Sequence, residues 1–254
     1  MKRIVIKVGS AVLTQDGKLS LERLTNLVDF IASLSKNYDI VLVSSGAVAA
    51  GYTLLQLDKN IIQNKQALAS IGQALLLETY RVKFAKHNLL CSQVLLEASI
   101  FKDKNRLDHM NNAINVLLKN NVIPIVNEND VTAIDELVFG DNDQLSAHLT
   151  NHINANLLII LSDINGYYND NPKLNPNTKL LKYVSSISQN ELNDTSTANS
   201  EFATGGIVTK LKAASYLLNN NKEMFLSSGF DLTNIKKYML ENIHESGTLF
   251  TKEH

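Results

Sequence analysis

The sequence predicts an α/β protein, built as a mostly parallel open sheet flanked by helices on both faces, an α/β/α sandwich. Short apolar, β-branched runs alternate along the chain with longer stretches of helical period, the pattern that βαβ units leave in a sequence. The runs repeatedly end in polar loops bearing Gly, Ser or Asn, as strands do where an open sheet presents its carboxyl edge to a ligand. At 254 residues, with 44% hydrophobic and 19% charged, the chain has material for one such domain with a sizeable core.

Strands are expected at 3–8, 39–44, 90–96, 122–126, 157–162 and 223–228. Helices are expected near 20–36, 46–56, 61–86, 104–120, 142–154, 206–220 and 231–241. The first strand, Ile4-Val5-Ile6-Lys7-Val8, carries a lysine where an apolar residue belongs and runs into Gly9-Ser10. A lysine there faces a ligand or snorkels from an edge, and the adjoining tight turn favours the ligand. The second strand runs into Ser44-Ser45-Gly46-Ala47-Val48-Ala49-Ala50-Gly51. Backbone N–H groups at Ser45 and Gly46 suit an oxyanion or carboxylate, while Ala49, Ala50 and Gly51 suit close helix packing. Leu75, Leu76 and Leu77 in the 61–86 helix read as core or subunit-contact positions.

The strand Val122-Ile123-Pro124-Ile125-Val126 delivers Asn127-Glu128-Asn129-Asp130, and Gly140-Asp141-Asn142-Asp143 follows at the head of a helix. One Asp, with Asp141 fitting best, serves as an N-cap; capping leaves the other carboxylates and amides unexplained. Residues 127–141 also suggest a small hairpin above the sheet. The strand Leu157-Leu158-Ile159-Ile160-Leu161 ends in Ser162-Asp163, and that Asp can take a ribose, position a metal-bound phosphate or start a turn. From Asn165 to Ala203 the chain reads as a long irregular connection with one short helix near 188–193. A boundary near residue 155 divides two lobes of a single domain rather than two domains.

The run Thr204-Gly205-Gly206-Ile207-Val208-Thr209-Lys210 places a glycine pair at a helix start, with a lysine about two turns on. Glycines admit a ligand close to the backbone, the free N–H groups favour an anion, and the lysine adds full charge. Alone, the run is equally a turn before an amphipathic helix. Opposite it, no Lys or Arg occurs at 37–58 or 120–172. Those loops lack the cation a phosphorylated acceptor would need, whereas acidic and amide side chains suit an amine and the Ser45–Gly46 N–H groups suit a carboxylate. Together they describe an amino-acid acceptor.

Composition excludes other classes. A formal net charge of -1 gives no general attraction to nucleic acid or to an anionic membrane. Cys91 is the only cysteine, so no intramolecular disulfide or Cys-rich zinc site exists, and its apolar surroundings read as core. His148 and His152 share a helix face without a third ligand in register, so no metal site is assigned. Met1-Lys2-Arg3 leads straight into a strand and no apolar run suffices to span a bilayer, so the expected location is cytoplasmic. The P-loop, dinucleotide and nucleophile-elbow patterns are all missing.

These motifs, in this order and over almost the whole chain, resemble the amino-acid kinase superfamily, in particular its members that phosphorylate the side-chain carboxylate of glutamate. The resemblance implies the amino-acid kinase fold, with an amino-acid lobe at 1–155 and a nucleotide lobe at 156–254. It implies ATP and Mg²⁺ as cofactors, L-glutamate as acceptor, proline as feedback inhibitor, and a homo-oligomer, dimer or tetramer. By that likeness Lys7 and Lys210 flank the transferred phosphoryl group and Asp143 orients both ammonium groups. Ser45, Gly46, Asn127, Asp130 and Asn142 would hold glutamate, with Asp130 facing its α-ammonium. ATP would lie against Lys7, Gly9, Ser10, Ser162, Asp163 and the loop Thr204, Gly205, Gly206, Ile207, Val208, Thr209, Lys210.

The chain departs from that pattern at Ala203, where glycine is common, at Ile207, where methionine is common, and at Ser44 in place of threonine. It also ends soon after Gly247-Thr248-Leu249-Phe250, so no C-terminal RNA-modification-type domain is expected. Acceptors of related kinases (N-acetylglutamate, aspartate, carbamate) and a non-catalytic amino-acid sensor are the competing readings.

Overall fold

The computed structural model describes residues 1–133, 142–170, 175, 177–193 and 206–253. Its centre is an eight-stranded sheet: β5 (Leu90–Leu96), β6 (Val122–Glu128), β4 (Tyr38–Ser44), β1 (Lys2–Val8), β7 (Leu157–Ser162), β9 (Glu223–Ser228), β10 (Thr248–Phe250) and β8 (Tyr183–Val184), in that spatial order. Every pairing is parallel except β9 with β10. All strands from residues 1–155 lie on one side of the β1–β7 junction and all later strands on the other. A two-residue hairpin, β2 (Thr14–Gln15) and β3 (Lys18–Leu19), follows the short helix α1 (Ser10–Leu13).

Strand alternation sorts the core into two layers. Ile4, Ile6 and Val8 of β1 join the cluster filled by α2 (Leu21–Leu34), α4 (Ile62–Ala85) and α9 (Thr233–Glu241), through residues such as Leu27, Ile31, Tyr80, Phe84 and Ile235. Val5 joins the opposite cluster, filled by α5 (Lys104–Lys119), α6 (Asn142–His152) and α8 (Gly206–Asn219), through Ile114, Leu145, Leu149, Leu211 and Leu217. Side-chain caps set two of these helices: Ser20 accepts from the Arg23 N–H at the head of α2, and Asp103 from the Asn105 and Arg106 N–H groups at the head of α5. The short α3 (Ala47–Leu54) crosses α4 through glycines, since a Cβ on Gly72 would stand 1.8 Å from the Ala47 carbonyl oxygen.

At the amino ends of the strands the helices are stopped by asparagine. Asn88, Asn121, Asn154 and Asn221 all adopt positive φ, between the ends of α4, α5, α6 and α8 and the strands that follow. Asparagine tolerates this left-handed conformation better than other residues with a Cβ, so each turn reverses the chain within a few residues. With these turns at the amino edge, the loops at the carboxyl edge carry the chemistry.

Several expectations are adjusted. The tail strand β10 runs antiparallel to β9, β8 interrupts the long connection, and β5 is an edge strand; the short helix expected near 188–193 is present as α7 (Gln189–Asn193). Cys91 therefore lies half-buried on that edge rather than within the core; burial still pushes its thiol up to about 11. Most of the expected hairpin at 127–141, and the Asp141 cap, lie outside the described residues. Leu76 is a core residue, and Leu75 and Leu77 pack against the same cluster. Among the described residues, no helix is long and apolar enough to cross a membrane.

Candidate active site

Lys7 shares the alternation of Val5, so it rises from β1 on the face covered by α6 and α8. Its position next to the strand end brings its ammonium to the carboxyl edge of the sheet, where those two helices begin. Asp143, in the first turn of α6, and Lys210, one turn into α8 rather than the two expected, meet it there. Lys7 Nζ lies 2.6 Å from Asp143 Oδ1 and Lys210 Nζ lies 3.1 Å from Oδ2. One carboxylate thus holds two ammonium groups, one on each oxygen.

All three charges are buried, with Asp143 at 0%, Lys7 at 4% and Lys210 at 6% exposure. Burial by itself drives the Asp143 carboxyl upward, but the two ammonium groups outweigh it and hold the carboxyl down at about 2. The triad carries one net positive charge into a poorly solvated place, a costly arrangement for stability alone. It is an arrangement suited to receiving an anion. Thr209 donates to Asp143 Oδ2 at 3.1 Å, Lys210 Nζ also reaches the Gly206 carbonyl at 2.8 Å, and Gln144 ties α6 to the Thr209 carbonyl at 2.8 Å.

Beside the triad lies a cavity of about 410 Å³ lined by Ser10, Thr14, Gly17, Ser45, Gly46, Ala47, Val48, Ala49, Lys59, Asn127, Glu128, Asp130 and Asn142. Gly46 takes φ 108°, a left-handed conformation that favours glycine, and this turns the first-turn N–H groups of α3 toward the carboxyl edge. Asn142 Nδ2 donates to Ser45 Oγ at 2.8 Å and to Asn127 Oδ1 at 3.0 Å. Asn127 Nδ2 donates onward to Gln73 Oε1 at 3.0 Å, and Gln73 Nε2 to Gln93 Oε1 at 3.4 Å. The direction of this amide chain is therefore fixed from Asn142 to the edge strand. It leaves Asn142 Oδ1 buried with no donor among the described residues. Burial pushes the Asp130 carboxyl above its ordinary value, so a cation beside it would be strongly favoured. Below Ser45, the Ser44 hydroxyl lies 2.8 Å from the buried Tyr80 hydroxyl and donates to the Ser45 carbonyl at 3.0 Å.

Gly9 closes the ends of β1 and β7 together, its N–H donating to the Leu161 carbonyl at 3.1 Å. Ser162 is buried and donates to the exposed Asp163 at 2.8 Å, while its carbonyl accepts from the Gly229 N–H at 2.7 Å. Gly206 opens α8, and a Cβ built on it would meet nothing within 4 Å. Nothing in the packing of the described residues thus calls for glycine there, which fits room for a ligand at a helix start. Ile207 packs on the α6–α8 core, and Val208 is half-buried beside it. Thr204 and Gly205 lie outside the described residues.

Lys7, Asp143 and Lys210 are thus in direct contact, as are Ser45, Asn127 and Asn142, with Gly46 and Asp130 on the same cavity. Ser10, expected on the nucleotide side, lines the same cavity as Ser45, Asp130 and Asn142. Sequence reasoning missed Gln73, Gln93, Tyr80 and Lys59. The Gly72-Gln73 pair was the available signal, a glycine and an amide on the buried face of a long helix. A larger cavity of about 810 Å³ lies at the opposite edge, lined by Met1, Tyr38, Val122 and Lys236, away from the strand ends that gather the polar side chains. His148 and His152 stack with Phe101, and His148 with Tyr216, as a packed helix face; burial brings the His148 imidazole down to about 4.

A parallel α/β/α sheet whose carboxyl edge clamps two lysines on one aspartate beside an anion-receptive helix start defines a phosphoryl-transfer enzyme. Residues 2–227 match the model of the amino acid kinase family, and the chain belongs to that family. Solved structures of isopentenyl phosphate kinase (TM-score 0.67, 16% identity, covering 98% of this chain and 100% of that one) and of Giardia lamblia carbamate kinase bound to AMP-PNP (TM-score 0.66, 16% identity, covering 98% of each chain) share its fold. More specifically, the chain is 50% identical over 250 residues to a glutamate 5-kinase of Leishmania donovani, covering 98% of this chain and 95% of that protein. It is 47% identical over 257 residues to a glutamate 5-kinase of Wolinella succinogenes, covering 99% of this chain and 98% of that one.

Proposed function

We propose that this protein is an ATP-dependent kinase of the side-chain carboxylate of L-glutamate, forming L-glutamyl 5-phosphate in the first step of proline biosynthesis, in the cytoplasm. The observation that carries the reading is the buried Lys7–Asp143–Lys210 triad opening beside a cavity rich in amide, hydroxyl and carboxylate groups. The acceptor carboxylate is ionised at neutral pH and needs no general base, so the protein's work is positioning and charge neutralisation. Lys7 approaches from the β1 side and Lys210 from the α8 side, and Asp143 keeps the two at a fixed separation. As negative charge develops between donor and acceptor oxygens, both ammonium groups are already in place.

The cavity offers partners for two of the three charged groups of glutamate. Its reacting carboxylate would sit between the lysine pair and the N–H groups of Gly46 and the first turn of α3, not the Ser45 N–H as the sequence suggested, since that group donates to the Val8 carbonyl at 3.3 Å. Asp130 together with Asn142 Oδ1 would take the α-ammonium, with Asn127 holding Asn142. ATP would lie against Gly9, Ser162, Asp163 and the 204–210 segment, from the lobe at 156–254, while 1–155 supplies the acceptor lobe. Among the described residues no group of three His, Cys, Asp or Glu side chains is placed to cage a metal. Mg²⁺ would arrive on the nucleotide phosphates, where it would neutralise part of their charge.

Proline shares the α-ammonium and α-carboxylate of glutamate, so feedback inhibition would act by occupancy of this cavity. A homo-oligomer, dimer or tetramer, is supported by Ile71 and Val82 of α4 and Leu90 and Leu95 of the edge strand β5, all exposed.

An acceptor panel tests the function. ADP release is expected with L-glutamate and not with N-acetylglutamate, aspartate or carbamate at equal concentration. Turnover of one of those three with none on glutamate would replace the reading by another activity of the family, and ligand-induced stabilisation without any turnover would make the protein a sensor.

A further inference from the structure

Glutamate brings one ammonium and two carboxylates, and the groups assigned above account for only one of the two. The reacting carboxylate belongs at the lysine pair, and the α-ammonium at Asp130 and Asn142. The remaining α-carboxylate needs a donor elsewhere. The lining also includes Thr14 and Gly17, from the β2–β3 hairpin, and Lys59, from the loop between α3 and α4, none of them yet assigned a group. Lys59 is the one cationic side chain among the residues lining this cavity, whose other charged residues, Glu128 and Asp130, are acidic.

The position of Lys59 is held from two sides. Its ammonium stands 3.7 Å from the centre of the Tyr52 ring, contributed by α3, and 3.5 Å from the Gly17 carbonyl oxygen in the hairpin turn. Cation–π contact and one carbonyl leave at least one of its three N–H donors for a ligand. No ion pair with a carboxylate of the described residues occupies it. This corrects the expectation of a cation-free acceptor side: no Lys or Arg occurs from 37 to 58, but Lys59, the next residue, lines the cavity.

We propose that Lys59 binds the free α-carboxylate of the amino-acid acceptor and so sets the enzyme's preference for acceptors with that group unblocked. This rests on the glutamate reading and deepens it. With Lys59 in this role the cavity matches the whole zwitterion, and the β2–β3 hairpin, joined to Lys59 through Gly17, becomes part of the acceptor site.

The test compares L-glutamate with its α-carboxamide as acceptor in wild type, Lys59→Met and Lys59→Arg. Losing a charge-assisted contact is expected to raise KM for glutamate about 10- to 100-fold in Lys59→Met, with kcat at saturation and KM for ATP within about twofold. In that variant the preference for glutamate over the amide should shrink by a similar factor, while Lys59→Arg keeps most of it. A structural role for Lys59 would leave that preference intact. An unchanged KM in Lys59→Met, or a raised KM with the preference intact, overturns the proposal. No glutamate turnover by wild type would sink the glutamate reading itself, a result distinct from either.

Discussion

The Asp143 carboxylate is the residue on which the site turns, because each of its oxygens holds one lysine. Lys7→Met and Lys210→Met are each expected to lower kcat by about 10²–10³ with KM for glutamate little changed, as for groups that act mainly on charge in the transition state. Asp143→Asn leaves two buried ammonium groups without their counter-charge and should cost about 3–5 kcal/mol in a urea titration. Its pH dependence has a definite sign. The folded carboxyl, at about 2, lies below its ordinary 3.8, so the native state binds fewer protons. The stability it supplies is complete above about pH 4 and is lost as pH falls toward 2; the acid limb of the wild-type stability curve should flatten in Asp143→Asn. Lys7 was legible in the sequence as a charge late in an apolar strand, whereas Asp143 was one of several acidic and amide residues there and was singled out only by the family resemblance. Gln73 was not legible, because an amide inside a helical pattern reads as surface until the fold turns it inward. Gln73→Leu should therefore raise KM for glutamate through loosened Asn127 and Asn142, with KM for ATP unchanged.

Among the elements, the crossing of α3 and α4 positions the proposed acceptor site. Cβ atoms on Gly51 and Gly72 would stand 2.0 Å from the Leu68 carbonyl oxygen and 1.8 Å from the Ala47 carbonyl oxygen. Gly72→Ala must push the helices apart and displace the start of α3, so a loss of about 1–3 kcal/mol or more is expected in chemical denaturation, together with a raised KM for glutamate. Close packing through Gly51 could be read from the Ala49-Ala50-Gly51 run, whereas its partner Gly72 could not, since pairing of two helices separated by a loop is a tertiary fact. The main strands and helices were legible from their periods. The strands β8 and β10 were not, because pieces of two and three residues carry no period and form only by adding to the edge of an existing sheet. Nor were the four asparagine turns, whose signal, an Asn between helix and strand, is shared with ordinary polar loops.

Across the whole molecule, one sheet brings residues from opposite ends of the chain together: Lys7 and Lys210 are 203 positions apart in sequence yet share one carboxylate. The order of the motifs made the fold class readable, but the contact itself needed β1 to sit between β4 and β7 with α6 and α8 on one face. The amide chain from Asn142 through Gln73 to Gln93 then joins this centre to the exposed edge strand. If that edge is the subunit contact, Val82→Lys with Leu90→Lys should reduce the mass measured by light scattering to that of one chain. The central claim is that the two lysines bridged by Asp143 transfer phosphate from ATP to the side chain of glutamate. It is tested most directly by trapping the acyl phosphate with hydroxylamine. Wild type should form the 5-hydroxamate in step with ADP, and Lys210→Met should form it about 10²–10³ times more slowly; hydroxamate formed equally fast by Lys210→Met, or ADP released without it, would contradict the claim.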